Sequence, residues 1–483
     1  MVTSYQKGRT PFSQVYLLIA ALAFAFTCYY ACVRVWDVDE GWTYVSVRTE
    51  SFPDLLAYTH FNIANNHLLN SIWFRLMQIA GCKNVIFYRG LSLLSFFPYA
   101  WFLYRIITLK ATGRAATWLA LFFLPPVIVF FAAGRGYALA ITAFCAALYY
   151  LQTCFDEDKA PDYWRFFFCG VISSLAIVSF FYPFAAMLIY LYTVKFRNRL
   201  FTARSIITAI LFLALTAYVY HVGKTILLHD LIINGTDNLF ANGMYSTFFG
   251  TLSLNDLTFP WPDWYIRLHL ELITKLLVIV TFLPVAFILF RKYFRQTVAL
   301  PVMIITTLFF LLSHLVLKAK YPSDRSALYL LYLIYIPVIL VIALTGNKFF
   351  KLHYWLAFIF SAFNLVCYIY QANRTNIYSA LAQKPPAQYT VYSDWPNFAD
   401  DVYSSLYFDG RITFHYLAKS FETDLPAVDE RVKAALTDPK ADLILLQQFE
   451  FDRTKQLFDT GFNIQPVLTS GFKQLYLIQR NPR

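Results

Sequence analysis

Charge is what this 483-residue chain has least of: Asp, Glu, Lys and Arg together make up 14% of it, where water-soluble domains carry about 25%. That scarcity excludes a cytosolic enzyme and, with 59% hydrophobic residues, an intrinsically disordered chain. The seven cysteines sit mostly inside apolar runs, with no CxxC or other metal-ligand spacing. They read as small core hydrophobes, which excludes a secreted disulfide scaffold. The first apolar run, 15–33, lacks a small-residue cleavage site after it, so it reads as a transmembrane helix and not as a signal peptide.

What the chain has instead is apolar runs of membrane-spanning length. They fall at 15–33, 85–107, 115–133, 137–155, 205–222, 273–290, 298–317, 327–344 and 352–370. The stretch 164–194 is too long for one span and reads as two short helices meeting near Tyr182 and Pro183. The sum is a mainly α polytopic bundle of about eleven transmembrane helices. Basic residues fall in alternate connections, among them Lys7 and Arg9, then Arg105, Lys110 and Arg114, then Lys195, Arg197 and Arg199. The positive-inside trend puts those connections and the N-terminus in the cytoplasm, with a bacterial inner membrane the expected location. Much of the net charge of +12 is then topological, and no nucleic-acid partner is needed to explain it.

An odd number of spans sends the C-terminus to the other face. Beyond residue 370 acidic and basic residues nearly balance and no long apolar run remains, so 371–483 reads as a small soluble extracytoplasmic α/β domain. A helix is expected near 427–436 and strands at 442–446, 463–468 and 474–479, the last two turning at Ser470 and Gly471.

Polarity on the outward face concentrates in the loops 36–84, 223–269 and 318–326. The first opens with Asp37, Asp39 and Glu40 between Trp36 and Trp42. Like charges this close at a membrane boundary require a cationic balance, and serve either as a general base or as ligands of a divalent ion. A solvated helix cap with interfacial tryptophans would carry the same residues. Ser51 and Pro53 read as a helix start. After Asn65, Asn66 and His67, the residues Leu68, Leu69, Ile72, Trp73 and Leu76 share one helical face and Gly81 ends the pattern. This helix should lie in the membrane interface and turn its polar start toward the acids. Arg135 stands between Gly134 and Gly136 in the next outward turn, and Lys318, Lys320 and Arg325 crowd around Tyr321. Three cations beside a helix start that Ser323 can cap suit a phosphate. The loop 223–269 is long enough to be a binding element but shows no chemistry of its own.

An acid cluster and a phosphate site on one face of a membrane bundle point to a lipid phosphate carrying a polar group. At four places the residues resemble the C-type (GT-C) glycosyltransferase superfamily, the multispanning enzymes that use polyprenyl-phosphate sugars and include protein mannosyltransferases and bacterial aminoarabinose transferases. Asp39 and Glu40 in WDVDEGWTY resemble its Asp-Glu signature after the first helix. NNHLLNSIWFRL is similar to its His-Pro-Pro-Leu segment with both prolines replaced, GRGYALA to an Arg-x-Tyr motif, and KYPSDRSALYL to a Tyr-Pro-x-x-Arg motif before a late span. The resemblance covers residues 10–370 in order and topology. It implies a catalytic module over 1–370 performing an inverting transfer of sugar to a glycan, lipid or protein acceptor. Asp39 would be the base, with Glu40 beside it; Asp37, Asn66 and His67 would position the acceptor; Arg135, Lys318, Lys320, Tyr321 and Arg325 would hold the donor phosphate. A divalent metal ion is the one cofactor the resemblance leaves open. The rival readings are a flippase of a lipid-linked sugar and a glycan ligase using a lipid pyrophosphate.

Overall fold

The computed structural model describes residues 13–33, 38–57, 67–123, 125–157, 160–197, 201–228, 235–236, 297–317, 319–322 and 324–348, positions between 350 and 362, and then 389–393, 412–416, 425–438, 443–447, 461–468 and 474–481. Asp37, Asn66, Lys318 and the expected span at 273–290 lie outside the described residues.

Helix α1 (Gln14–Val33) leads to two short helices, α2 (Val38–Thr49) and α3 (Phe52–Ala57). The Ser51 hydroxyl caps the start of α3: it accepts from the backbone N–H of Asp54 at 3.4 Å and donates to the Asp54 carboxylate. Helix α4 (Leu68–Ile79) follows and is tied to the end of α2, with Arg75 donating to the Val47 carbonyl at 2.6 Å and Gln78 to that of Tyr44 at 2.8 Å. Val47 is among the last four residues of α2, whose carbonyls the helix leaves open. Leu76 and Ile79 stay exposed.

Helices α5 (Val85–Leu94) and α6 (Phe96–Thr108) form one broken span. Pro98 has no N–H to return to Leu94 and breaks the ladder there. The carbonyl of Ser95 accepts from Thr142 at 3.0 Å. The expected single span at 115–133 is not one helix: residues Gly113–Phe123 wind as a 3-10 helix, and α7 (Pro125–Ala132) starts afresh at a proline, the position where a missing N–H costs nothing. Helices α8 (Tyr137–Glu157), α9 (Ala160–Ala176) and α10 (Phe181–Val194) come next, the last preceded by a 3-10 turn at Val178–Phe180. The stretch 164–194 is thus two helices as expected, but the break lies at Ile177, in extended backbone at φ −143° and ψ 117°. Pro183 falls harmlessly in the first turn of α10.

Helices α11 (Ala203–Leu228), α12 (Ala299–Leu317) and α13 (Tyr329–Thr345) complete the bundle that can be described. Described positions from 348 to 362 are helical. A two-residue pairing joins β1 (Gly235–Thr236) to β2 (Tyr321–Pro322), so residues 235–236 touch the segment between α12 and α13. Among the described residues five helices are long and apolar enough to cross a membrane and two shorter apolar ones accompany them; the chain is an integral membrane protein. Its core is aromatic. Tyr99 donates to the Phe122 carbonyl at 2.9 Å and shares a hydrogen bond with Tyr332, also 2.9 Å, which gives buried hydroxyls the partners they need.

Toward the C-terminus β3 (Tyr389–Ser393), β4 (Ile412–Tyr416), β5 (Leu443–Gln447), β6 (Phe462–Leu468) and β7 (Gln474–Arg480) form one sheet in the order β4-β3-β5-β7-β6. The first three strands are parallel and the last two antiparallel. Helix α14 (Leu425–Thr437) packs Val432, Ala435 and Leu436 on Ile444 and Ile478. The four elements expected there are present within a residue or two at each end; β3 and β4 were not foreseen.

Candidate active site

Helix α2 begins at Val38, so Asp39 and Glu40 fall in its first turn, where the helix dipole favours negative charge. The period of the helix sends the two neighbours to different partners. Glu40 is fully buried and accepts from Nε of Arg89 at 2.9 Å and from Nη2 at 2.7 Å. The backbone N–H of Gly134 donates to its Oε1 as well. Arg89 is equally buried and uses Nη1 on the Ala31 carbonyl at 2.5 Å. One guanidinium therefore binds the end of α1, the start of α2 and, through Glu40, the turn before α8. Its planar fork matches a carboxylate in this way, and each such contact is charge-assisted.

Asp39 pairs with Arg135 through Oδ2 and Nη2. The like-charge cluster thus has the cationic balance that the sequence demanded, from one arginine that was expected nearby and one that was not. Arg135 sits in the turn between α7 and α8, and its backbone is held on every side. Its N–H donates to Ala133 at 2.8 Å, its carbonyl accepts from Ser92 at 3.1 Å, and the Gly134 carbonyl accepts from Asn70 Nδ2 at 2.6 Å. The glycines on either side are required by close approach. A Cβ on Gly136 would stand 2.4 Å from the Ala176 carbonyl oxygen and 2.9 Å from Cβ of His67; one on Gly134 would stand 2.8 Å from the Phe74 ring. The Arg135 guanidinium also lies over the Tyr137 ring at 5.1 Å.

His67 occupies the N-cap position of α4 and is buried, its ring edge-on to Tyr137 at 5.1 Å. His67 and Arg135 thus contact the same Tyr137 ring. Tyr321 is buried and stacks on His314 at 4.4 Å, while Lys320 is exposed. Arg325 falls in the 3-10 turn Asp324–Ala327, its side chain outside the described residues. The segment between α9 and α10 joins the two halves of the site: Ala176 abuts Gly136, and three residues on, Ser179 donates to the Ser326 carbonyl at 2.6 Å. The Arg135 turn and the 321–326 loop are both seated on residues 176–179.

Among the described residues no group of three His, Cys, Asp or Glu side chains could hold a metal ion. Glu40, one of the carboxylates available for that task, already gives both oxygens to Arg89 and Gly134. The residues described do not fit a cation there.

Arg89, Asn70 and Ser92 were missed in the sequence. Arg89 was hidden inside the apolar run VIFYRGLSLL, but an ionisable residue in a span carries its own signal, since it needs a partner that a nearby acid must supply. No protein-family model and no curated protein matches the chain. Among solved structures it is similar to the crystal structure of ArnT from Cupriavidus metallidurans in the apo state, with 13% identity, a TM-score of 0.48, and coverage of 97% of this chain and 99% of that one. At that distance the functional reading rests on the residues of the site.

Proposed function

We propose that the protein is an inverting glycosyltransferase that moves a sugar from a polyprenyl-phosphate carrier to an acceptor hydroxyl or amine on the non-cytoplasmic membrane face. The observation that carries the reading is the pairing of Asp39 with Arg135 at one end of the bundle, beside the segment that also seats the 321–326 loop. The resemblance of four motifs to polyprenyl-phosphate-sugar enzymes supports the same reading. In this scheme the acceptor lone pair forms a bond to the anomeric carbon from the face opposite the phosphate. The carbon–oxygen bond to the phosphate breaks and its electron pair leaves with the phosphate. Asp39 takes the acceptor proton, and Arg135, Lys320 and Arg325 balance the charge that grows on the leaving group. Glu40 and Arg89 hold the start of α2 and so position Asp39. The N-terminus lies in the cytoplasm and residues 371–483 outside it.

The test is transfer of radiolabelled sugar from polyprenyl-phosphate donors to membrane extract by the purified protein. Asp39→Asn should lower transfer by at least about 100-fold, the usual worth of a general base. Equal transfer by both proteins would refute the assignment.

A further inference from the structure

Arg135 combines two features rarely found together: an immobile backbone and a side chain with a choice of partners. Three hydrogen bonds pin the turn, so the guanidinium can move only by its own rotamers. It meets Asp39, which is 20% exposed, and it also lies over Tyr137, next to Gly136 and the residues 176–179 that touch the 321–326 loop. Glu40 is engaged elsewhere, its two oxygens accepting from Arg89 and Gly134. While that pair stands, the guanidinium occupies Oδ2, one of the two oxygens with which Asp39 could meet an acceptor.

We propose that Arg135 exchanges ion-pair partners, leaving Asp39 to grip the lipid phosphate, so that donor binding is what frees the base. The inference rests on the glycosyltransferase reading and adds an order to it: donor first, acceptor second. The exchange runs with the chemistry. A donor phosphodiester carries one negative charge, and the departing phosphate gains a second. Asp39 meanwhile becomes neutral as it takes the acceptor proton and so cannot draw the guanidinium back. Both changes pull Arg135 toward the phosphate at the moment when charge stabilisation counts. Phosphate oxygens also match the guanidinium fork as well as a carboxylate does.

The experiment is a double-mutant cycle on binding of polyprenyl phosphate to the full chain in nanodiscs. Arg135→Gln should weaken binding and Asp39→Asn should tighten it, each about tenfold, the size of one charge-assisted contact. The distinguishing arm is the double variant: removing Asp39 should bring no gain once Arg135 is absent. A gain that persists in the Arg135→Gln background would mean only that Asp39 repels phosphate through space, and would overturn the exchange. So would the absence of any gain from Asp39→Asn alone. Where Arg135→Gln does not fold, carbodiimide labelling of Asp39 in the wild type takes its place. Polyprenyl phosphate should raise the labelling, and no rise overturns the exchange. Absence of binding by the wild type would sink the glycosyltransferase reading and this inference with it, whereas binding without exchange sinks the inference alone.

Discussion

The two ends of the helix bundle treat ion pairs in opposite ways. At the end holding Asp39, Arg89 and Glu40 join at 2.7 Å with side chains 1% exposed, and Arg135 meets Asp39 at 6% and 20% exposure. At the other end, where α6 and α8 finish, Lys110 meets Asp156 at 2.9 Å with 30% and 34% exposed, and Arg165 meets Asp162 at 3.1 Å with 59% and 13%. The exposed pairs are ordinary surface contacts of a charged collar, at a distance where water and salt share the charge. The buried pairs have no such relief. They persist because each charge has several partners, and removing one strands the rest. A protein keeps such an arrangement where geometry at one point matters more than stability.

The comparison fails if the buried network can be cut cheaply. Glu40→Ala or Arg89→Met should each cost about 3–5 kcal/mol, the penalty of leaving one buried charge without its partner. Thermal unfolding in detergent reads this, as a large fall in Tm or as loss of folded protein. The double variant Glu40→Leu with Arg89→Met should be more stable than either single one, because no charge is stranded. Its transfer activity should stay low, since nothing then fixes the start of α2. A double variant as unstable as the singles would assign the pair's worth to packing.

A smaller effect tests the turn that carries Arg135. Gly136→Ala places a methyl group 2.4 Å from the Ala176 carbonyl oxygen, a backbone atom that cannot step aside. Overpacking of this kind costs about 1–3 kcal/mol, and here it should also push the turn away from residues 176–179. Transfer should fall more steeply than Tm, and equal loss of both would show the glycine to be a packing residue alone.

How much of this was legible beforehand varied with the physics. Asp39, Glu40 and Arg135 stood out because charge beside long apolar runs is conspicuous. Although the face that the helix at 68–79 buries within the protein is Leu68, Asn70, Ser71 and Phe74, with Leu76 left exposed, that helix and the C-terminal strands followed from periodicity. The pairing of Glu40 with Arg89 did not, since nothing in a linear run says which of several arginines will meet which acid. The same is true of the link through Ala176 and Ser179, whose contacts fall on the backbone of Gly136 and on the Ser326 carbonyl. The 115–133 region misled for a different reason: hydropathy counts apolar residues and is blind to the Pro125 and Pro126 pair that stops one helix and starts another.

The least effect is expected where the comparison places the least weight. Lys110→Met removes a pair at 2.9 Å, shorter than many buried contacts, and distance alone would rank it as strong. Both partners are about a third exposed, however, so water already solvates much of each charge in either state. Ordering the long lysine side chain offsets part of what attraction remains. The expected loss is about 0–1 kcal/mol, and the small shift in Tm should vanish at high salt, where the screening length drops to about 3 Å. The same salt should leave the unfolding of Arg89→Met as far below wild type as before. A Lys110→Met penalty matching that of Arg89→Met, or one that ignores salt, would show that burial does not divide the two ends and that distance was the better guide.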